Sequence, residues 1–403
     1  MRRVVITGMG LISPVGNRPQ DAWETLVQGK TGIVSMPQWE DIRDLKVGIA
    51  GACKAYIPKK IPRRDRRTMG NMAVMAALSV QDALAQAGLE STAVQTRRCG
   101  VAMGSTTGSG PVLEEMFRDF MEVQGMGRLE GTTFMKVMNH SIAANVAAML
   151  GCQGRVMAPC AACATSTQAI GQGYEFIRDG AQEIMICGGA DELHPSTAGV
   201  FDVIRAASQV RDPQAVPGSF DARRQGLVVG EGAGALILEE YHHAKKRKAP
   251  ILGEIIGFQT GCDGAHMTSP QAEGMEYCMA SALESAGLSI RDMDYINAHA
   301  TGTPMGDMAE AAAIAGLGSH PVPVSATKGY TGHTLAASGV METIFCLLMM
   351  ENDLIIPTRN LETIDPQCDA ICHVTTLEKK KLHRVMTSNF AFGGINTTLI
   401  LEK

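Results

Sequence analysis

The chain is poor in aromatic side chains: of 403 residues, 4% are Phe, Trp or Tyr, and Trp occurs twice. A core short of rings must be filled by aliphatics and by the 25 methionines, whose flexible thioethers fit irregular gaps. An excess of basic charge is also missing. Lys and Arg number 36 against 41 Asp and Glu, so no global positive field invites nucleic acid. No uninterrupted apolar run reaches membrane-spanning length; residues 340–350 come nearest and are broken by Glu342. The basic pair Arg2-Arg3 precedes too short an apolar run for a signal peptide. The 11 cysteines are scattered rather than packed into a small disulfide scaffold, so a reducing, cytoplasmic setting is expected. What is present is 45% hydrophobic residues, 19% charged residues and 44 glycines, the profile of an α/β protein with ample core.

Short apolar runs alternate with helical patterns along the chain. Residues 4–7 read as a buried first strand ending at Gly8. Gly8-Met9-Gly10 invites a dinucleotide-binding reading, but the third glycine is missing and Pro14 follows at once; a tight strand-to-loop turn is preferred. Further strands are expected at 100–104, 183–189 and 235–238, with helices at 21–29, 69–87 and 138–150. Ala249-Pro250 breaks a charged helix end and divides the chain into 1–250 and 251–403. The second part repeats the pattern, with strands at 251–258, 294–298, 322–325, 385–388 and 397–401 and helices at 274–286 and 339–351. A duplicated α/β unit is expected.

The chemistry gathers around Pro159-Cys160-Ala161-Ala162-Cys163-Ala164-Thr165-Ser166. The apolar stretch before it reads as a buried strand and turn, the small residues after it as a helix running to Gly180. A thiol at a helix N-terminus feels the unpaired N–H groups, which favour thiolate and can hold an oxyanion. On this stretch alone, a buried structural cysteine is an equal reading. Three polar segments in the second part sit beside apolar strands, where α/β folds place chemistry. They are His299-Ala300-Thr301-Gly302-Thr303-Pro304-Met305-Gly306-Asp307, Lys328-Gly329-Tyr330-Thr331-Gly332-His333, and Phe390-Ala391-Phe392-Gly393-Gly394-Ile395-Asn396.

With these segments in view, the chain resembles the elongating β-ketoacyl-(acyl carrier protein) synthases, condensing enzymes of the thiolase superfamily, from Val4 to the C-terminus. The resemblance implies a thiolase-like α/β fold of two duplicated halves in a layered αβαβα arrangement. It implies that Cys163 accepts an acyl chain as a thioester, and that His299 and His333 stabilise the enolate left when malonyl-carrier protein loses CO2. Lys328 then supports the histidines, with Glu342 as its ion partner and Asp307 behind the site. The backbone N–H groups of Cys163 and Phe392 form the oxyanion hole, and Phe392 is the gate. Thr301, Thr303, Thr107 and Phe390 fall where the family binds substrate.

The implied partner is acyl carrier protein, whose phosphopantetheine carries the substrates; no further cofactor and no metal are implied. The basic run Lys59-Lys60-Ile61-Pro62-Arg63-Arg64-Asp65-Arg66-Arg67 reads as a solvated helix start or as a docking patch. In the light of the resemblance, Arg64, Arg67 and Arg205 become docking cations for the acidic carrier. A homodimer is expected, with a paralogue heterodimer open. Cys160-Ala161-Ala162-Cys163 is formally C-x-x-C, but a thiol oxidoreductase leaves His299, Lys328 and His333 unexplained. A non-catalytic partner subunit of a type II polyketide-type heterodimer is the alternative, and retained Cys163, His299 and His333 count against it. The chain departs from the family in Arg224-Gln225-Gly226-Leu227 and in Ala300 and Gly302, which hints at a specialised branch.

Overall fold

The computed structural model describes residues 1–125, 127 and 129–403. Five strands of the large sheet come from the first part of the chain: β1 (Val4–Ile12), β2 (Cys99–Gly104), β3 (Val156–Met157), β4 (Ile184–Asp191) and β5 (Gly232–Glu240). Six follow: β6 (Gly253–Cys262), β7 (Tyr295–Asn297), β8 (Pro323–Ser325), β9 (Cys372–His373), β10 (Arg384–Ala391) and β11 (Ile395–Glu402). They pair in the order β9-β8-β7-β10-β11-β6-β1-β5-β4-β2-β3.

This order contains one pattern twice. Counting from the shared edge, the first unit runs β1-β5-β4-β2-β3 and the second β6-β11-β10-β7-β8. In both, the first strand is antiparallel to the fifth, the fifth to the fourth, and the remaining pairs are parallel. The units join where Val4 pairs with Ile255 and Ile6 with Gly253, antiparallel.

Helices build the layers around and between the units, among them α1 (Asn71–Ala87), α2 (Thr165–Arg178), α3 (Ala272–Ser285), α4 (Pro304–Gly316) and α5 (Ser338–Asn352). α2 and α5 touch strands of both units and form the middle layer. α1 covers the outer face of the first unit, and α3 with α4 that of the second. A helix between two sheets has no solvent face. α5 is accordingly buried from Ser338 to Met350 and mostly apolar around its girth, with Glu342 as its buried charge. Together with the preceding turn it makes an 18-residue apolar stretch, Leu335–Asn352, long enough to cross a membrane, but 89% of that stretch is buried inside the protein.

Two sequence expectations change here. Gly8 and Gly10 do not form a turn, because β1 runs through both. A Cβ at Gly8 would collide with the Ala83 carbonyl oxygen, and one at Gly10 with that of Ser79, so the glycines let α1 lie directly on the strand. The strand before Cys163 is not buried either. β3 is two residues long at the sheet edge, with Val156 46% and Met157 38% exposed.

Candidate active site

The chain leaves β3, passes Ala162 in a left-handed conformation (φ 45°), and makes a tight turn over Ala162–Ala164 before α2 begins. An alanine held at positive φ is strained, and such strain collects where a side chain must be presented at one angle. Cys163 is the middle residue of that turn and is buried. Its Sγ lies 2.9 Å from His333 Nε2.

His333 follows Gly332, which turns at φ 68°. The N–H of His333 bonds the Val228 carbonyl at 2.6 Å. At the other ring nitrogen, Nδ1 accepts the N–H of Leu335 (3.3 Å) and faces Ser338 Oγ (3.0 Å). An acceptor at Nδ1 leaves the proton of a neutral imidazole on Nε2, pointed at sulfur. His299 stands edge-on to His333, with centroids 5.3 Å apart and planes at 83°. Its Nδ1 faces the amide nitrogen of Asn389 at 3.1 Å, which selects the same tautomer. Burial pushes both histidines well below their ordinary value, and the charge of Lys328 adds to it. The site therefore presents two neutral Nε2–H donors.

A buried circuit holds His299. Lys328 Nζ donates to the His299 carbonyl and pairs with Glu342. The second Glu342 oxygen accepts the amide of Asn389 at 2.7 Å. Glu310, on α4, accepts the N–H of His299 (2.7 Å) and of Ala300 (2.6 Å). Asp307, one turn earlier, accepts the N–H of Phe220 (2.8 Å) and Gly302 (3.0 Å) and lies 3.3 Å from Arg224. Burial pushes the Asp307 carboxyl up to about 6 and that of Glu310 up to about 8.

The expectation of a ready thiolate is corrected. Burial pushes the Cys163 thiol up to about 12, against the lowering effect of Lys328. The helix start does not offset the lost solvation. Cys160, the other half of the C-x-x-C, gives its thiol to the Thr106 carbonyl (3.3 Å).

Cys163, His299 and His333 line a cavity of about 300 Å³. Phe201, Phe390 and Phe392 line it too, as do Thr301, Thr303 and Arg205. Phe392 is 37% exposed, its ring 5.8 Å from Phe201. Gly393 and Gly394 follow at φ 85° and 71°, a reversal that side chains would oppose. Thr107 is exposed and does not line this cavity. The loop is pinned one residue earlier, where Asp191 binds both the N–H and the hydroxyl of Thr106. Arg64 and Arg67 are exposed at the short helix Arg63–Arg66, outside the lining.

The sulfur and one nitrogen of each histidine lie within 4.8 Å of one another, a spacing that could hold a soft metal ion. The tautomers do not fit that use. Both rings turn hydrogens rather than lone pairs toward the cavity, beside the Lys328 cation. The arrangement suits an oxygen that gains negative charge.

Sequence reasoning missed Asn389, Glu310 and Asp191. Asn389 carried a signal, being a polar residue in a run that reads as a buried strand. Glu310 and Asp191 carried none.

The family described as Beta-ketoacyl synthase, N-terminal domain, matches residues 1–244, and that described as Beta-ketoacyl synthase, C-terminal domain, matches residues 252–362. The chain is 37% identical to 3-oxoacyl-(acyl-carrier-protein) synthase 1 of Haemophilus influenzae, over 100% of this chain and 99% of the relative. It is 36% identical to the protein of the same name in Escherichia coli, with the same coverage. The crystal structure of a β-ketoacyl synthase from Burkholderia phymatum superposes with a TM-score of 0.97 at 40% identity, covering 100% of both chains. The ishigamide ketosynthase/chain length factor superposes at 0.92 with 28% identity, over 100% of this chain and 99% of that one. With both domain families matched and relatives aligned along its whole length, the chain belongs to the β-ketoacyl synthase family.

Proposed function

We propose that the protein is a β-ketoacyl-acyl carrier protein synthase that lengthens a carrier-bound acyl chain by two carbons. The Cys163 sulfur attacks the thioester of an acyl carrier protein. The acyl–cysteine bond forms, and the carrier leaves as a free phosphopantetheine thiol. Malonyl-carrier protein then enters and loses CO2, leaving an enolate whose oxygen is held by the Nε2–H groups of His299 and His333. The enolate carbon attacks the acyl–Cys163 carbonyl. The tetrahedral oxyanion rests on the backbone N–H groups of Cys163 and Phe392. Collapse frees Cys163 and leaves a β-ketoacyl chain on the carrier. Lys328, Glu342 and Asp307 keep the histidines in place. Thr301, Thr303 and Phe390 contact the entering arm or chain, and Phe392 gates the cavity.

The observation that carries this reading is the facing pair of neutral imidazoles beside a buried thiol, with His333 Nε2 at 2.9 Å from Cys163 Sγ. A subunit with no reaction of its own would have no use for that contact. Residues 1–250 bring the nucleophile and 251–403 the histidines. Exposed Arg64, Arg67 and Arg205 dock the acidic carrier protein, and the exposed edge strand β3 is where a second copy of the chain pairs. The eleven unpaired cysteines support a cytoplasmic location.

The test is incubation with acyl-carrier protein and mass spectrometry of the protein. The wild type gains one acyl group on the peptide containing Cys163, and Cys163→Ala gains none. Equal labelling of the two would overturn the mechanism.

A further inference from the structure

A line of hydrogen bonds links the segment before Cys163 to the segment after His333. It starts at Cys160, three residues ahead of Cys163, whose thiol donates to the Thr106 carbonyl at 3.3 Å. Thr106 gives its N–H and its hydroxyl to the carboxylate of Asp191, at 3.0 and 2.6 Å. The same carboxylate accepts the N–H of Ala336 at 2.8 Å. Ala336 lies three residues beyond His333, in the turn Leu335–Ala337 whose first N–H fixes the His333 tautomer.

Asp191 is the last residue of β4 and only 4% exposed. Among the described residues, no lysine, arginine or histidine pairs with it. A buried carboxylate without a counter-charge is costly unless its hydrogen bonds are needed. Here all of them go to two loops, one tied through Cys160 to the nucleophile and one carrying His333. Burial pushes the carboxyl up to about 7, the direction expected without a cation beside it.

We propose that Asp191 is a positioning residue that sets the distance between Cys163 and His333, by tying the Thr106 loop to the Leu335–Ala337 turn. It touches neither substrate nor the reacting atoms. It acts by removing slack between two segments that must meet within a few tenths of an ångström. Misplacement by about 1 Å can cost a hundredfold in rate. Shortened reach at Asp191, or one lost acceptor oxygen, frees both loops together.

The experiment uses three variants and two readouts. Asp191→Asn keeps the shape but loses one acceptor, Asp191→Glu keeps the carboxylate, and Thr106→Val removes the hydroxyl alone. The first readout is the rate at which iodoacetamide alkylates Cys163, followed on the Cys163 peptide without any carrier protein. The second, which rests on the condensing function proposed above, is kcat and KM with acyl- and malonyl-carrier protein. Asp191→Asn is expected to change the alkylation rate by about threefold or more and to lower kcat about tenfold, with KM within about twofold. Thr106→Val moves both in the same direction by less, and Asp191→Glu restores at least about a third of kcat. Asp191→Asn that melts cooperatively and matches wild type in both readouts would overturn the proposal. So would equal losses in all three variants with lowered melting temperatures, which would mark a purely structural role. A wild type that alkylates but never condenses would refute the condensing function and leave the alkylation comparison to judge Asp191.

Discussion

The Nε2 of His333 and the Sγ of Cys163 lie 2.9 Å apart although 170 residues separate them in the chain. The two side chains come from the two five-stranded units, one from the turn before α2 and the other from the turn before α5. These are the two middle-layer helices, so the contact forms only when both units close on that layer. Nδ1 of His333 is held as an acceptor, so the hydrogen on Nε2 points at the sulfur. In the proposed mechanism the same donor turns to a substrate oxygen once the sulfur is acylated.

Removing either donor should slow decarboxylation more than it weakens binding. His299→Ala and His333→Ala are each expected to lower kcat about 10²–10³-fold, as for loss of one oxyanion donor. The double variant should fall well short of the product of the two, because the donors share one oxygen. Release of CO2 from malonyl-carrier protein measures this directly. A single variant at wild-type rate would remove that histidine from the enolate site.

The histidines should show no titration near neutrality. Burial holds both well below 6.5, so neither imidazole is expected to add a titration of its own to decarboxylation between about pH 8 and about pH 6. Stability carries the complementary signature. The unfolded imidazole takes a proton near pH 6.5 that the folded one refuses, so its contribution falls as the pH drops below about 6.5, by up to about 1.4 kcal/mol per pH unit. The buried carboxyls Asp191, Asp307 and Glu310, pushed up to about 7, 6 and 8, act with the opposite sign. The measurement is therefore the stability of wild type relative to His299→Gln in urea. Wild type should lose ground between about pH 6.5 and pH 5; a constant difference would mean that His299 is protonated in the fold.

The Lys328–Glu342 pair offers a test that separates stability from chemistry. Lys328→Met alone strands a carboxylate in the core, at a cost of about 3–5 kcal/mol. Adding Glu342→Gln should recover most of that stability while condensation stays low, since the His299 carbonyl has lost its ammonium partner. Urea denaturation with a condensation assay decides. If the double variant is no more stable than the single one, the pair does not act as a unit.

Arg64→Glu combined with Arg67→Glu should raise KM for carrier-bound substrate about tenfold and leave turnover of a free acyl thioester unchanged, because exposed charge acts on encounter rather than on chemistry. The salt dependence of kcat/KM should flatten in the same variant. Equal effects on both substrates would remove these arginines from the docking surface.

The chain's own pattern was enough for most of the strands. Residues 4–7, 183–189 and 385–388 are apolar or β-branched runs, and a segment buried on both faces has little choice but to read that way. Pattern also singled out Cys163, His299, Lys328, His333 and the Phe390–Asn396 segment, which folding brings around one cavity or directly behind it. It failed where the neighbour matters more than the residue. Gly8 and Gly10 look like a turn until α1 is laid against them. Cys163 looks like a thiolate until its burial is known. Asn389, Glu310 and Asp191 are ordinary polar residues until folding sets a ring nitrogen or a backbone N–H opposite each of them. The sequence by itself determined which groups could react, since that depends on side-chain chemistry. Only the tertiary structure decided their protonation and their spacing, since both depend on the burial and the hydrogen-bond partners that the two closed units supply.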